Sequence, residues 1–352
     1  MQPHNPAGTN GFDFLEYTTE QPDVLEKQFL TMGFVAVAKH RSLDITLYQQ
    51  NTIRFIINAS QHSPASQFAK QHGPSVFAMG FLVEDAHAAH DYAVKKGARS
   101  YSTNTYTIPA IYGVGGSLIY FVDYKNNQAN YQQHFVPLSN THSSGNDAGL
   151  TYIDHVTHNL QRGNMDVWAT FYEDIFNFKE VRYFDIEGKL TGLKSRAMTS
   201  ACGKIRIPLN ESSDDKSQIE EFLTAFNGEG IQHIALGTND IYRSVEHLHK
   251  RGLKFLDTPD TYYEIIENRL PNHGESLEQL RKNRILLDGT TEKERKLLLQ
   301  IFTQNMLGPV FFEIIQRKGD EGFGEGNFKA LFESIELDQI KRGVLKMEKE
   351  KL

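Results

Sequence analysis

Thiols are nearly absent from this sequence: Cys202 is the only cysteine among 352 residues. A single cysteine excludes an intramolecular disulfide, a thiolate zinc cluster and a Cys-x-x-Cys redox pair, and fits a reducing compartment. Long hydrophobic runs are missing too, with no stretch of about 18 apolar residues to cross a bilayer as a helix. The first ten residues, Met1 to Asn10, are polar and carry neither an apolar core nor a cleavage site. A soluble, cytoplasmic chain without a membrane partner is therefore expected. Positive charge is in the minority, 37 Lys plus Arg against 44 Asp plus Glu for a net charge of −7. That sign is wrong for affinity through phosphate neutralisation, so no nucleic-acid partner is expected.

What is present is the material of a folded core: 39% apolar residues, with 23 Phe and 15 Tyr. The length favours two domains of about 150–200 residues each. Fourteen histidines stand beside 44 carboxylates, so a bound metal would take nitrogen and oxygen ligands.

The polar stretch Pro137 to Gly149, rich in Ser, Asn and Gly, reads as a linker between residues 1–136 and 150–352. Both sides run through the same cycle. Short strand candidates at 12–17 and 152–157 are each followed by a helix, Pro22 to Met32 and Met165 to Ile175. Further on, Phe77 to Phe81 leads into Asp85 and a helix ending Lys96-Gly97, while Gln232 to Leu236 leads into Asp240 and a helix ending Arg251-Gly252. Each half therefore reads as two strand–helix–strand-rich modules, an α+β architecture built by internal repetition.

Comparing the halves isolates what only the second one carries. Alignment of the opening strands places His155 opposite Glu16, the second pair places His233 opposite Ala78, and Glu313 falls opposite the apolar strand Leu118 to Val122. Period-2 alternation sets His155 on one strand face and His158 on the other, so these two are not expected to share a site. Glu313 lies within Val-Phe-Phe-Glu-Ile-Ile, where a buried carboxylate requires a partner or a metal. Two imidazoles and one carboxylate on neighbouring strands form a facial triad that leaves open positions on an octahedral Fe(II).

Several polar groups offer themselves as pocket residues. Gln232 precedes His233 and faces away from it unless the strand is bulged. Gln300 is an amide inside the apolar strand 297–302 and needs a partner if buried. Gln218 opens a helix, and Asn210 reads equally as a turn residue. The phrase Gly322 to Phe328 feeds a helix with Phe328, Leu331, Phe332 and Ile335 on one face. This is a core-packing pattern, whose preceding glycines would also give hinge freedom to a helix closing over a pocket.

These phrases resemble one family, the 4-hydroxyphenylpyruvate dioxygenases, over nearly the whole chain and most strongly from Tyr152 to Val344. The matching motifs are Ile153-Asp154-His155, the run Asn227 to Ala235, Leu298 to Phe302, Phe312 to Arg317 and Gly322 to Phe328. The resemblance implies a vicinal oxygen chelate fold, with two domains of paired βαβββ modules forming open barrels, of which only the second binds metal. It implies Fe(II) on His155, His233 and Glu313, and substrate contacts from Ser195, Asn210, Gln218, Gln232, Gln300, Phe302 and Phe328. Phe323, Asn327 and Phe332 belong to the pocket and lid in this scheme. The implied reaction takes 4-hydroxyphenylpyruvate and O2 to homogentisate and CO2 by decarboxylation, ring hydroxylation and side-chain migration, in tyrosine catabolism. A homo-oligomer, dimer or tetramer, is expected. The alternatives are hydroxymandelate synthase, which acts on the same substrate, and a non-catalytic aromatic-ligand binder of the same fold.

Overall fold

The computed structural model describes residues 4–102, 105–139, 147–187, 192–215, 217–327 and 329–330. Phe328, Phe332, most of the expected lid helix and the middle of the expected linker (140–146) lie outside the described residues.

Four modules follow one another. The first comprises β1 (Phe12–Thr18), α1 (Pro22–Thr31), β2 (Val35–His40), β3 (Ile45–Gln50) and β4 (Ile53–Asn58), and α2 (Pro64–His72) leads out of it. The second comprises β5 (Ser75–Val83), α3 (Ala86–Lys95), β6 (Ser100–Tyr101), β7 (Ala110–Tyr112) and β8 (Leu118–Asp123), followed by α4 (Asn127–His134) and β9 (Phe135–Pro137). The third is β10 (Leu150–Leu160), α5 (Met165–Phe176), β11 (Lys179–Glu187), β12 (Gly192–Thr199) and β13 (Arg206–Ser212), with α6 (Gln218–Phe226) leading on. The fourth is β14 (Gly230–Thr238), α7 (Ile241–Lys250), an insertion of α8 (Asp260–Arg269) and α9 (Leu277–Asn283), then β15 (Leu286–Thr290), β16 (Lys296–Phe302) and β17 (Phe311–Lys318).

The sheets repeat one topology. The second is ordered β11-β12-β13-β10-β14-β17-β16-β15, and the first, read from the other end and without its edge strand β9, is β2-β3-β4-β1-β5-β8-β7-β6. Pairing sense repeats as well: β1–β4 and β10–β13 are parallel, β1–β5 and β10–β14 antiparallel. The helix starts named in the sequence have a common cause, since Asp85 accepts from the Ala88 N–H and Asp240 from the Arg243 N–H, each satisfying an orphan donor of the first turn.

The repeat fixes which residues correspond. In β1 a bulge at Asp13 separates the pairs Phe12↔Phe81 and Phe14↔Gly80; in β10 a bulge at Asp154 separates Ile153↔Leu236 and His155↔Ala235. His155 therefore stands opposite Phe14, and Glu16 opposite Thr157. The alignment of His155 with Glu16 is corrected by two residues: both strands are buried over most of their length, so hydrophobic alternation does not mark which residue of one answers which residue of the other. Along β5 and β14, Ala78 corresponds to His233, and through the pairs Gly80↔Tyr120 and Ala235↔Glu313, Tyr120 corresponds to Glu313. The first half thus fills the triad positions with buried Phe14, Ala78 and Tyr120, the two rings 5.8 Å apart.

One continuous core contains residues of both sheets. Phe312 of β17 meets Tyr17 and Phe55, and Phe176 of α5 meets Phe81 and Phe121. The end of the expected linker is anchored: Ala148 is buried and its N–H donates to Gln50 Oε1 at 2.8 Å. Among the described residues, no helix is long and apolar enough to cross a membrane.

Candidate metal centre

The three central strands β10, β14 and β17 each deliver one group to the same buried spot. His155 Nε2 lies 3.2 Å and His233 Nε2 3.6 Å from Glu313 Oε2. All three potential ligand atoms fall within 4.8 Å of one another. His155 and Glu313 are each 2% exposed, and His233 is 13% exposed.

Neighbouring side chains orient both imidazoles. His155 Nδ1 donates to Asp154 Oδ1 at 2.8 Å, and His233 Nδ1 donates to Gln232 Oε1 at 3.0 Å. Each ring then turns the lone pair of Nε2 inward, the tautomer a metal requires. Gln232 reaches its neighbour because it is itself a bulge residue: Thr157 pairs with His233 and His158 with Ile231, leaving Gln232 between them. His158 points to the other face, 2.9 Å from the Tyr172 hydroxyl, and burial pushes its pKa down to about 3.

Electrostatics follow from burial and from the carboxylates. Burial opposes protonation of His155, but Glu313 and Asp154 outweigh it and the net shift is upward. His233 is held well below its ordinary value by burial, and next by His155. Burial alone would raise Asp154; hydrogen bonds from Arg317 and His155 override it and hold the carboxyl far below the usual range. Glu313 Oε1 is buried with no hydrogen-bond partner. A bare buried carboxylate oxygen beside two inward imidazole nitrogens is unfavourable without a cation and well satisfied by one. The donor set of two nitrogens and one oxygen fits a divalent first-row metal with open positions.

Aromatic rings wall this spot. Phe311 stacks on His233 at 4.9 Å, Phe302 lies 6.3 Å from the same ring, and Phe323 meets His155 edge-on at 5.4 Å.

Comparison with known proteins agrees with this geometry. Residues 4–136 match the family described as hydroxyphenylpyruvate dioxygenase, HPPD, N-terminal, and residues 152–264 match the glyoxalase/bleomycin resistance protein/dioxygenase superfamily. The chain is 56% identical to 4-hydroxyphenylpyruvate dioxygenase of Legionella pneumophila (strain Corby), covering 98% of this chain and 99% of that protein. It is 54% identical to the enzyme of the same name from Pseudomonas aeruginosa, covering 98% of each. The chain belongs to the 4-hydroxyphenylpyruvate dioxygenase family. It is also 58% identical to hemolysin VllY of Vibrio vulnificus, over 97% of this chain and 98% of that one. Among solved structures, a mutant 4-hydroxymandelate synthase from Streptomyces coelicolor superposes with a TM-score of 0.81 at 25% identity, covering 94% of this chain and 99% of that chain. The fold is accordingly that of the vicinal oxygen chelate superfamily.

In this family member the remaining expected residues occupy distinct places. Ser195 of β12 is buried and pairs across the sheet with Asn210 of β13, which in turn pairs with Asn159 of β10. Asn210 is therefore a strand residue and not a turn residue. Gln300 is buried on β16, two residues before Phe302 and so on the same face. Its Oε1 accepts from Asn327 Nδ2 at 3.1 Å, while Asn327 Oδ1 accepts from the Tyr262 hydroxyl at 2.5 Å. Gln218 is exposed at the start of α6.

Five residues near the centre escaped sequence reasoning. Thr157 Oγ1 lies 3.0 Å from His233 Nε2, Asn159 is buried with an unpartnered Nδ2, Phe311 stacks on His233, and Asp154 and Arg317 stand behind His155. Alternation sets Thr157 on the face of His155, and carried one step further it reaches Asn159. Nothing in the sequence pattern marks Arg317.

Proposed function

We propose that this chain is an Fe(II)-dependent dioxygenase converting 4-hydroxyphenylpyruvate and O2 to homogentisate and CO2. The observation that carries the reading is the convergence of His155, His233 and Glu313 on one buried spot, in a chain more than half identical to full-length 4-hydroxyphenylpyruvate dioxygenases. In this reading residues 150–352 are the catalytic module pair and residues 1–136 a non-catalytic pair, whose triad positions hold Phe14, Ala78 and Tyr120.

Bound by the triad, Fe(II) supplies a Lewis-acidic, redox-active centre at which a 2-oxo acid and dioxygen meet. The residues around it bind, orient and keep water out. Asp154 and Gln232 hold the imidazoles with Nε2 inward. Phe302, Phe311 and Phe323 form apolar walls around the reacting end, which protects reactive species from water. Gln300 has its carbonyl engaged by Asn327, which frees its NH2 to donate to a polar group of the substrate. Ser195, Asn210 and Asn159 make a polar row on the adjoining strands. The unpartnered Asn159 amide is a donor that a bound ligand would satisfy. The substrate brings its own 2-oxo acid, so the decarboxylation needs no second organic substrate.

Replacing Glu313 by Ala removes one oxygen ligand. Turnover with added Fe(II) is expected to be lost while far-ultraviolet circular dichroism stays that of the folded chain. Near-normal turnover by Glu313→Ala would show that the triad is misassigned.

A further inference from the structure

The bulge aspartates are a repeated device with one difference. Asp13 and Asp154 occupy equivalent positions, both fully buried as side chains, and each faces an equivalent arginine on the adjoining strand, Arg54 at 2.6 Å and Arg206 at 3.7 Å. Around Asp13 the remaining partners are Asn127 at 2.7 Å and the Tyr131 hydroxyl at 2.8 Å, both from α4. Around Asp154 a second arginine takes over. Arg317 Nε donates to Oδ2 at 2.7 Å and Nη2 to Oδ1 at 2.8 Å, a two-point fork, and Arg206 is drawn towards Glu321 at 2.5 Å. Carrying the β8–β17 correspondence forward from Val122 and Ile315, the first-half residue equivalent to Arg317 is Tyr124, which is 40% exposed. The fork occurs in the half that has the triad and is replaced in the half that lacks it.

Arg317 has a further hand. Nη1 donates to the carbonyls of Asp320 at 3.1 Å and Gly322 at 2.7 Å, and the guanidinium lies 5.7 Å from the centre of the Phe323 ring. That ring is the one standing edge-on to His155. A single planar cation therefore fixes the carboxylate that aims His155 and the backbone turn that delivers Phe323, Gly324 and Asn327 to the pocket.

We propose that Arg317 is a positioning residue that couples the metal ligand His155 to the segment 320–327. The inference rests on the metal-centre reading of the triad. The coupling needs the fork: a lysine carries the charge but has a single donor head, which cannot span two carboxylate oxygens and two carbonyls at once.

The test is Co(II) binding, followed by the d–d absorption of the full chain, together with amide hydrogen exchange over 320–327 with and without Co(II). For Arg317→Lys, Co(II) affinity is expected to fall about 10–100-fold, and the slowing of exchange in 320–327 on Co(II) loading is expected to vanish. Arg54→Lys, the same change at the bulge aspartate of the other half, is expected to bind Co(II) as the unaltered chain does. Wild-type affinity and unchanged metal-dependent exchange in a folded Arg317→Lys would overturn the proposal, as would an equal loss in Arg54→Lys. If Arg317→Lys does not fold, the double variant Asp154→Asn/Arg317→Gln removes both buried charges and keeps their shapes. It is expected to show the weakened affinity, and wild-type affinity there would equally overturn the proposal. Failure of the unaltered chain to bind Co(II), or undiminished binding by His155→Ala, would instead overturn the metal-centre reading.

Discussion

At the scale of single residues, the first half retains a buried polar cluster where the second half has its site. Asn58 occupies the position equivalent to Asn210, and its Nδ2 donates to Glu16 Oε1 at 2.6 Å. Burial raises the Glu16 pKa from 4.5 to about 7, the hydrogen bond from Asn58 opposing it. The folded-state value lies above the unfolded one, so the folded chain holds this proton more tightly. Stability from this group is complete below about pH 4.5 and is lost as pH rises to about 7, a total of about 3 kcal/mol. Glutamine at this position keeps the acceptor for Asn58 and has no proton to lose. Glu16→Gln is therefore expected to gain about 3 kcal/mol relative to wild type between pH 4.5 and pH 8, measured as the change in the difference between their urea midpoints. A pH-independent difference would contradict the assignment. Asp154 has the opposite sign. Its depressed pKa makes its contribution fully present above the ordinary carboxylate range and lost on acidification, so the two buried carboxylates favour stability at opposite ends of the scale.

At the scale of elements, the glycines of the segment after β17 sit in close packing. Gly324 has φ +77°, and a Cβ there would lie 1.7 Å from Gln300 Oε1; at Gly326 it would lie 2.2 Å from Asp288 Oδ1. Gly324 lets backbone pass against the Gln300 amide, and Gly326 against the Asp288 carboxylate. Gly324→Ala adds about 1–2 kcal/mol of left-handed strain and must push Gln300 aside. A fall of about 10–100-fold in kcat/KM for 4-hydroxyphenylpyruvate is expected from the misplaced amide, with the circular dichroism of the folded chain retained; an unchanged kcat/KM would contradict the role given to Gln300. Strand and helix existence was legible in sequence because periodicity and the capping residues Asp85 and Asp240 report local preferences. The bulges at Asp13, Asp154 and Gln232 were not, because an extra strand residue leaves hydrophobic alternation nearly intact while shifting pairing across the sheet. For that reason the reach of Gln232 towards His233 was left conditional; His155 was paired with the wrong residue of the first half because β1 and β10 are buried on both faces and their alternation fixes no register.

At the scale of the whole molecule, two copies of one paired-module design share a continuous core, and among the described residues only the second presents two imidazoles and a carboxylate at the centre of its sheet. The convergence of these three was legible because buried polar residues in apolar strands are costly and stand out. Arg317 was not legible, because an arginine near a strand end is ordinary until the fold brings it beside Asp154 and the 320–322 turn. Product identification tests the chemistry of the assembled site most directly. The Fe(II)-loaded chain, given 4-hydroxyphenylpyruvate in air-saturated buffer, is expected to consume one O2 for each homogentisate and CO2 formed. Formation of 4-hydroxymandelate, or iron binding without oxygen consumption on this substrate, would contradict it.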